Sequence, residues 1–186
     1  MSCEQSRVCA CMWLQLVDIK DLNVNVSIQE TLNLTKAQLT RNNKQTTLQI
    51  MTFLNIILEQ NYFLFPDQIY QPDKGVAMGS PVSGTMAEVF LQHLEETIIK
   101  PLLDTKILSF YTRYVDDILL IYDSTCTNLD NILQYIDTIH RNIHLSPTPE
   151  SNYSVNFLDL SVTRNPTHLS IVMSAHCRYY VRNLIA

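Results

Sequence analysis

Phe110-Tyr111-Thr112-Arg113-Tyr114-Val115-Asp116-Asp117-Ile118-Leu119-Leu120-Ile121-Tyr122 sets a carboxylate pair between two apolar and aromatic runs of strand length. Such a pattern predicts a β-hairpin that carries two acids at its tip. An unperturbed Asp has a pKa of about 4, so both are ionised at neutral pH. Burying two adjacent carboxylates is costly unless a cation accompanies them, which leaves a solvated turn or a metal site as readings of this stretch. The tetrapeptide Tyr114-Val115-Asp116-Asp117 does not choose between them.

Upstream, Met12 to Val26 is apolar enough for a buried strand that ends in charge, with Asp18 at its exit. An ordinary strand-end Asp is the plain alternative. Ser27-Ile28-Gln29-Glu30 predicts a capping box opening a helix that runs to about Leu39. Thr46 or Thr47 would cap the next helix, whose Leu48, Met51, Leu54, Ile57 and Leu58 recur at the spacing of a core helix. Tyr62 to Phe65, then Pro66-Asp67, then Gln68 to Tyr70 predicts a second hairpin.

The chain has three glycines, Gly75, Gly79 and Gly84, all between Gln71 and Gly84. Glycine is needed where φ is positive or where another molecule approaches the backbone closely, so this loop is special in a glycine-poor chain. A tight connection serving sterics alone is the competing reading. Ser80 or Ser83 would cap an amphipathic helix from Thr85 to Lys100, and Pro101 would end or break it.

Downstream of the acids, Leu129, Ile132, Leu133, Ile136, Ile139 and Ile143 mark a core-facing helix closed off by Pro147 and Pro149. Tyr153 to Thr163 alternates as a strand, with a short partner from His168 to Met173. No repeat or long linker separates these pieces, and the fold expected is a single α+β domain.

Composition bounds the function. The 186 residues are 46% hydrophobic, enough for a real core, and no run of about 18 apolar residues predicts a membrane span. The Met1 to Arg7 stretch lacks a signal core, so an unprocessed intracellular protein is the simplest reading, with nucleus and cytoplasm undistinguished. Cys3, Cys9, Cys11, Cys126 and Cys177 form no CxxC pair, and Cys9 and Cys11 read as free thiols rather than ligands. A net charge of −5 argues against non-specific nucleic-acid binding by the whole chain, so any such role is local.

Four stretches together resemble reverse transcriptases. Val17-Asp18-Ile19-Lys20-Asp21-Leu22 with Val24-Asn25-Val26 and Ile28, then Gly75-Val76-Ala77-Met78-Gly79-Ser80-Pro81-Val82-Ser83, then Arg113-Tyr114-Val115-Asp116-Asp117, then Asn156-Phe157-Leu158-Asp159-Leu160 follow the order of motifs A, B, C and E. The wording looks most like Penelope-like retroelements. The resemblance implies a palm, an antiparallel sheet packed on helices, at residues 14–164, with fingers and thumb largely missing. Residues 1–13 then read as a non-native start and 165–186 as a divergent tail, with a frame change or truncation expected near Ile171.

By the same resemblance, Asp18, Asp116 and Asp117 are the catalytic metal ligands for two Mg²⁺ ions, with Mn²⁺ as a substitute. Asn23, Gly79, Ser80, Pro81 and Arg113 are substrate-binding, and Phe157, Leu158, Asp159 and Leu160 form the primer grip. The partners implied are an RNA template, a DNA primer, dNTPs, and either the missing fingers and thumb segments or a second copy of the chain. Two metals about 4 Å apart activate a primer 3′-hydroxyl and stabilise the leaving pyrophosphate. Three departures stand out: Asn23 occupies the place where the family usually has an aromatic residue that excludes a ribose 2′-hydroxyl, seventeen residues precede Asp18 where a basic fingers segment is expected, and the stretch from Val172 to Ala186 does not continue the pattern. The expectation is therefore a reverse transcriptase, or else an inactive remnant kept as an interaction module.

Overall fold

The structure, a computed structural model, describes residues 11–40, 44–77, 79–140, 142–166 and 168–173. In chain order the first elements are β1 (Met12–Lys20), α1 (Leu22–Asn25), α2 (Ile28–Leu39), α3 (Lys44–Glu59), β2 (Phe63–Phe65), β3 (Gln68–Tyr70) and α4 (Ser83–Leu94). A π-helical turn (Glu95–Ile99) follows, then α5 (Lys100–Asp104), β4 (Leu108–Tyr114), β5 (Asp117–Asp123), α6 (Leu129–Ile139), β6 (His144–Thr148), β7 (Ser154–Phe157), β8 (Leu160–Arg164) and β9 (Leu169–Met173). Two compact units result, one drawn from Met1–Lys20 with Lys100–Ala186, the other from Asp21–Ile99. No helix among the described residues is long and apolar enough to cross a membrane.

The first unit is built on an antiparallel sheet in the order β4-β5-β1-β6. Leu14, Val17 and Ile19 of β1 and the whole run Ile118–Tyr122 of β5 are buried. A strand covered on both faces reads as continuous apolar sequence, which is why β5 does not alternate. A second sheet, β7-β8-β9, packs Val155, Phe157 and Val162 against Leu14, Leu119 and Ile121. Each such side chain contributes roughly 1.5–3 kcal/mol when fully buried. Gln15 is buried in the same strand, and its Nε2 donates to the carbonyls of Thr148 (2.6 Å) and Leu16 (2.7 Å), fastening β6 to β1.

The second unit packs α2 against α3 and α4, with Thr31, Leu32, Met86, Ala87, Phe90 and Leu91 buried. Ser27 caps α2 by accepting from the Glu30 amide (3.4 Å), as its sequence predicts. The β2–β3 ribbon is also where expected, but every residue of both strands is exposed.

Several sequence expectations are corrected. The run expected as strand to Val26 leaves β-structure after Lys20: Asp21 takes φ +51, and the amides of Val24 and Asn25 return to its carbonyl to form α1. Asp18 therefore lies within β1, not past its end. Thr46 and Thr47 sit inside α3, which starts at Lys44, and α3 is no core helix: among its stripe Leu58 is buried while Leu48 is 66% exposed. Helix α4 is capped at Val82 without a side-chain bond; the Ser83 hydroxyl instead donates to the Ala77 carbonyl, and Ser80 is not its cap. Pro101 does not end helical structure, because the helical run passes from the π-helical turn (Glu95–Ile99) straight into α5, which contains it. Pro147 lies in a strand, β6, at the sheet edge, the one place where a strand tolerates proline. Tyr153 to Thr163 is two strands, not one: β7 and β8 turn at Leu158-Asp159. The partner expected from His168 to Met173 is β9. The expectations for Met1 to Arg7, Cys3, Cys9, Met78, Cys177 and the tail from Ser174 to Ala186 lie outside the described residues.

Candidate active site

The acids sit where two strands of the first unit meet. Antiparallel register places Asp18 of β1 directly opposite Asp117 of β5, and the Ile19 amide donates to the Asp116 carbonyl at 2.9 Å. That bond marks residues 19 and 116 as the hydrogen-bonded pair, which makes 18 and 117 a non-hydrogen-bonded pair with Cα atoms about 4.5 Å apart and side chains on one face. Residues far apart in sequence are thus brought together by sheet pairing alone.

The hairpin tip is strained. Tyr114 pairs with Asp117, so Val115 and Asp116 form a two-residue turn, and Val115 adopts φ +56. A β-branched residue there is a genuine outlier, costing about 1–3 kcal/mol, and such strain concentrates at functional turns. Arg113 reaches over the turn, its Nη1 donating to the Val115 carbonyl at 3.0 Å. Its guanidinium thereby braces the tip that presents Asp116.

Charge accumulates at this point. The Asp117 carboxyl is pushed above its ordinary value, first by partial desolvation at the head of β5, although the residue is largely exposed, and then by the charges of Asp116 and Asp18. Lys20, two residues after Asp18 on the same face of β1, forms an ion pair with it. The sequence reading passed over Lys20; its signal is the i, i+2 spacing of a strand. The donor set suits a hard divalent cation, since it is all carboxylate oxygen and carries repulsion that a cation relieves. Among the described residues no three His, Cys, Asp or Glu side chains are drawn together as a metal site. An open set is what Mg²⁺ accepts when waters and substrate phosphates complete its shell.

The remaining expected residues fall in two places. In the second unit, the Asn23 carbonyl accepts from the Val76 amide (2.8 Å), and Lys74 Nζ donates to Asn25 Oδ1 (3.3 Å). Gly75, at φ +78, lets this contact form: a Cβ there would lie 2.5 Å from the Asn23 carbonyl oxygen and 2.6 Å from Val24 Cα. Gly79, at φ +89, faces open space, with exposed Pro81 and half-buried Ser80 beside it. Gly84 lies in α4 with no such demand. In the first unit, Phe157 is in the core, Leu158 and Asp159 form an exposed tip with Leu158 at φ +54, and Leu160 is half-buried. Both hairpins of the site therefore turn on a large apolar residue in left-handed conformation. A cavity of about 860 Å³ beside α2 and α3 is lined by none of these residues.

A family model described as Reverse transcriptase (RNA-dependent DNA polymerase) matches residues 3–150. No curated protein sequence matches the chain. Among solved structures, telomerase from Candida albicans, in complex with the TWJ fragment of telomeric RNA, is similar with a TM-score of 0.62 and 16% identity, covering 94% of this chain and 34% of that one. Apo telomerase from Candida tropicalis truncated from its C-terminal domain gives 0.62 and 14%, covering 86% and 35%. The chain thus spans about a third of the length of the telomerases it matches. At this identity the likeness is one of fold, a mixed arrangement of helices and antiparallel sheet.

Proposed function

This chain belongs to the reverse transcriptase (RNA-dependent DNA polymerase) family, and we propose that it is the palm of a retroelement enzyme that adds a deoxynucleotide to a primer 3′-hydroxyl on an RNA template. The observation that carries this reading is the pairing of Asp18 with Asp117 beside Asp116 at a braced tip. In the proposal the palm spans residues 14–164, acts inside the cell, and descends from a Penelope-like element, on the wording of its four motifs.

The family generally uses divalent metals. Asp18, Asp116 and Asp117 would hold two Mg²⁺ ions, or Mn²⁺, which when bound supply Lewis acidity toward the attacking hydroxyl and the leaving pyrophosphate. The chain's own residues do the rest. Asp18 and Asp117 offer carboxylates from one sheet face; Arg113 holds the turn that presents Asp116; Lys20 balances Asp18. Gly79, Ser80 and Pro81 give the nascent base pair an unobstructed backbone, and the main chain of Asn23 is held by the glycine loop. Asn23 lacks the bulk to exclude a ribose 2′-hydroxyl, so sugar discrimination is poor. Phe157, Leu158, Asp159 and Leu160 seat the primer.

The test is extension of a DNA primer on RNA with dNTPs and Mg²⁺. Extension by the wild type and its loss in Asp116→Ala support the reading; extension that survives Asp116→Ala refutes it. A second reading, an inactive remnant kept for association, is favoured by the exposed ribbon Phe63, Leu64, Phe65 and Ile69, at 51–73% exposure. It predicts a concentration-dependent oligomer and no extension.

A further inference from the structure

Away from the acids, the first unit contains a shielded ion pair that the proposed chemistry does not use. Arg164 Nε donates to both carboxylate oxygens of Glu150, at 3.0 and 2.9 Å, with the two side chains only 12% and 7% exposed. The guanidinium also makes two cation–π contacts: its carbon lies 4.6 Å from the ring centroid of Trp13 and 5.0 Å from that of Tyr153. The Arg164 amide donates to the Tyr153 carbonyl at 2.9 Å. Tyr153 is presented by a two-residue turn closed by Ser151 and Ser154, in which Asn152 and Tyr153 both take positive φ, 51 and 61.

A shielded ion pair is a weak stabiliser, since desolvation offsets most of its attraction, so stability alone does not account for the arrangement. What the arrangement supplies is direction. A planar cation held by a carboxylate and by two ring contacts is restrained in its tilt. Trp13 belongs to β1, the strand that bears Asp18, while Arg164 ends β8, whose other end is the Leu158-Asp159 tip.

We propose that Arg164 is a positioning residue for the primer terminus: held against Trp13, Tyr153 and Glu150, it fixes the Leu158-Asp159 tip relative to Asp18. This rests on the polymerase reading above. From Arg164 to Leu160 is about 13 Å of strand. A tilt of about 4° at the clamp moves the tip by about 1 Å, and a misplacement of that size costs on the order of 10²-fold in rate.

Two variants test it. Arg164→Lys keeps a cation for Glu150 but loses the plane that stacks. Tyr153→Asn removes one ring while putting a residue suited to the left-handed turn in its place, so its folding is secure. Amide hydrogen exchange of residues 157–160 should quicken about tenfold or more in both, with residues 114–118 unchanged, and the emission of Trp13, the chain's single tryptophan, should shift. In primer extension, kcat should fall about 10–100-fold with the KM for dNTP within about twofold of wild type. Unchanged exchange at the tip overturns the clamp, whatever the activity. Quickened exchange with unchanged kcat overturns its role in the reaction. A wild type that extends no primer overturns the polymerase reading and the primer role with it, while exchange still judges the clamp.

Discussion

Replacing Asp117 by Asn should make the protein more stable while removing its proposed activity. Asp117 faces Asp18 across the sheet, adjoins Asp116, and has its carboxyl pushed up by desolvation and by those two charges. Carboxylates about 6 Å apart in water repel by about 0.7 kcal/mol, and screening at physiological salt roughly halves that. Two such neighbours and a small desolvation cost, set against the Lys20 charge on Asp18, leave about 0.5–1 kcal/mol. For a chain of this size that is a rise of about 1–4 °C in Tm.

The sign with pH follows from linkage. Because the native state binds the Asp117 proton more tightly than the unfolded state, its charged form costs stability above the raised pKa. That cost shrinks as pH falls through the raised value and vanishes below the ordinary value of 3.8. Thermal melts of wild type and Asp117→Asn should therefore differ most at pH 7 and converge toward pH 4. Mg²⁺ at ten times its Kd should raise wild-type stability by about 1.4 kcal/mol, and the variant's by clearly less. An Asn variant that melts at or below the wild type at pH 7, or a gap that persists unchanged at pH 4, refutes the reasoning that these acids repel one another in the folded state.

Two further substitutions probe the backbone. Val115→Gly should stabilise the hairpin by about 1 kcal/mol, because Gly meets φ +56 without the clash of a branched side chain, offset in part by its greater entropy when unfolded; urea unfolding measures it, and a loss of more than about 1 kcal/mol counts against strain at the tip. Gly75→Ala should be severe and Gly79→Ala mild. The first drives a Cβ into the backbone of Asn23 and Val24, for a loss of about 3 kcal/mol or more, while the second meets open space and costs about 1 kcal/mol of left-handed conformation. Equal losses in the two melts would mean that the loop does not pack on α1.

Local chemistry was legible in the residues themselves. The acidic hairpin, the β2–β3 ribbon, the Ser27 cap and the helix from Leu129 follow from turn residues, capping oxygens and periodicity, all of which act within a few positions of the chain. The ordered motifs likewise pointed to a reverse transcriptase, and the family match bears that out. Where sequence reasoning failed, a partner distant in the chain had overruled a local signal. Pro147 reads as a breaker, yet an edge position beside β1 makes it a strand residue. The stripe on α3 reads as core, yet what a helix buries depends on what covers it. The glycine loop left open a close approach by another molecule or a tight connection, and at Gly75 the structure shows the second, with the backbone of Asn23 and Val24 of the same chain packed against it.

The sequence by itself determined which residues carry charge, which stretches turn, and which motifs occur in what order, because these are properties of neighbours along the chain. Tertiary structure alone decided that Asp18 faces Asp117, that Arg164 meets the rings of Trp13 and Tyr153, and that Val115 and Leu158 hold left-handed turns. Register is a choice among many pairings that differ by one residue, and a one-residue slip would carry Leu14 off the face that packs on the second sheet. Burial of Leu14 against Leu119, Ile121 and the second sheet selects the register, and the register places the acids.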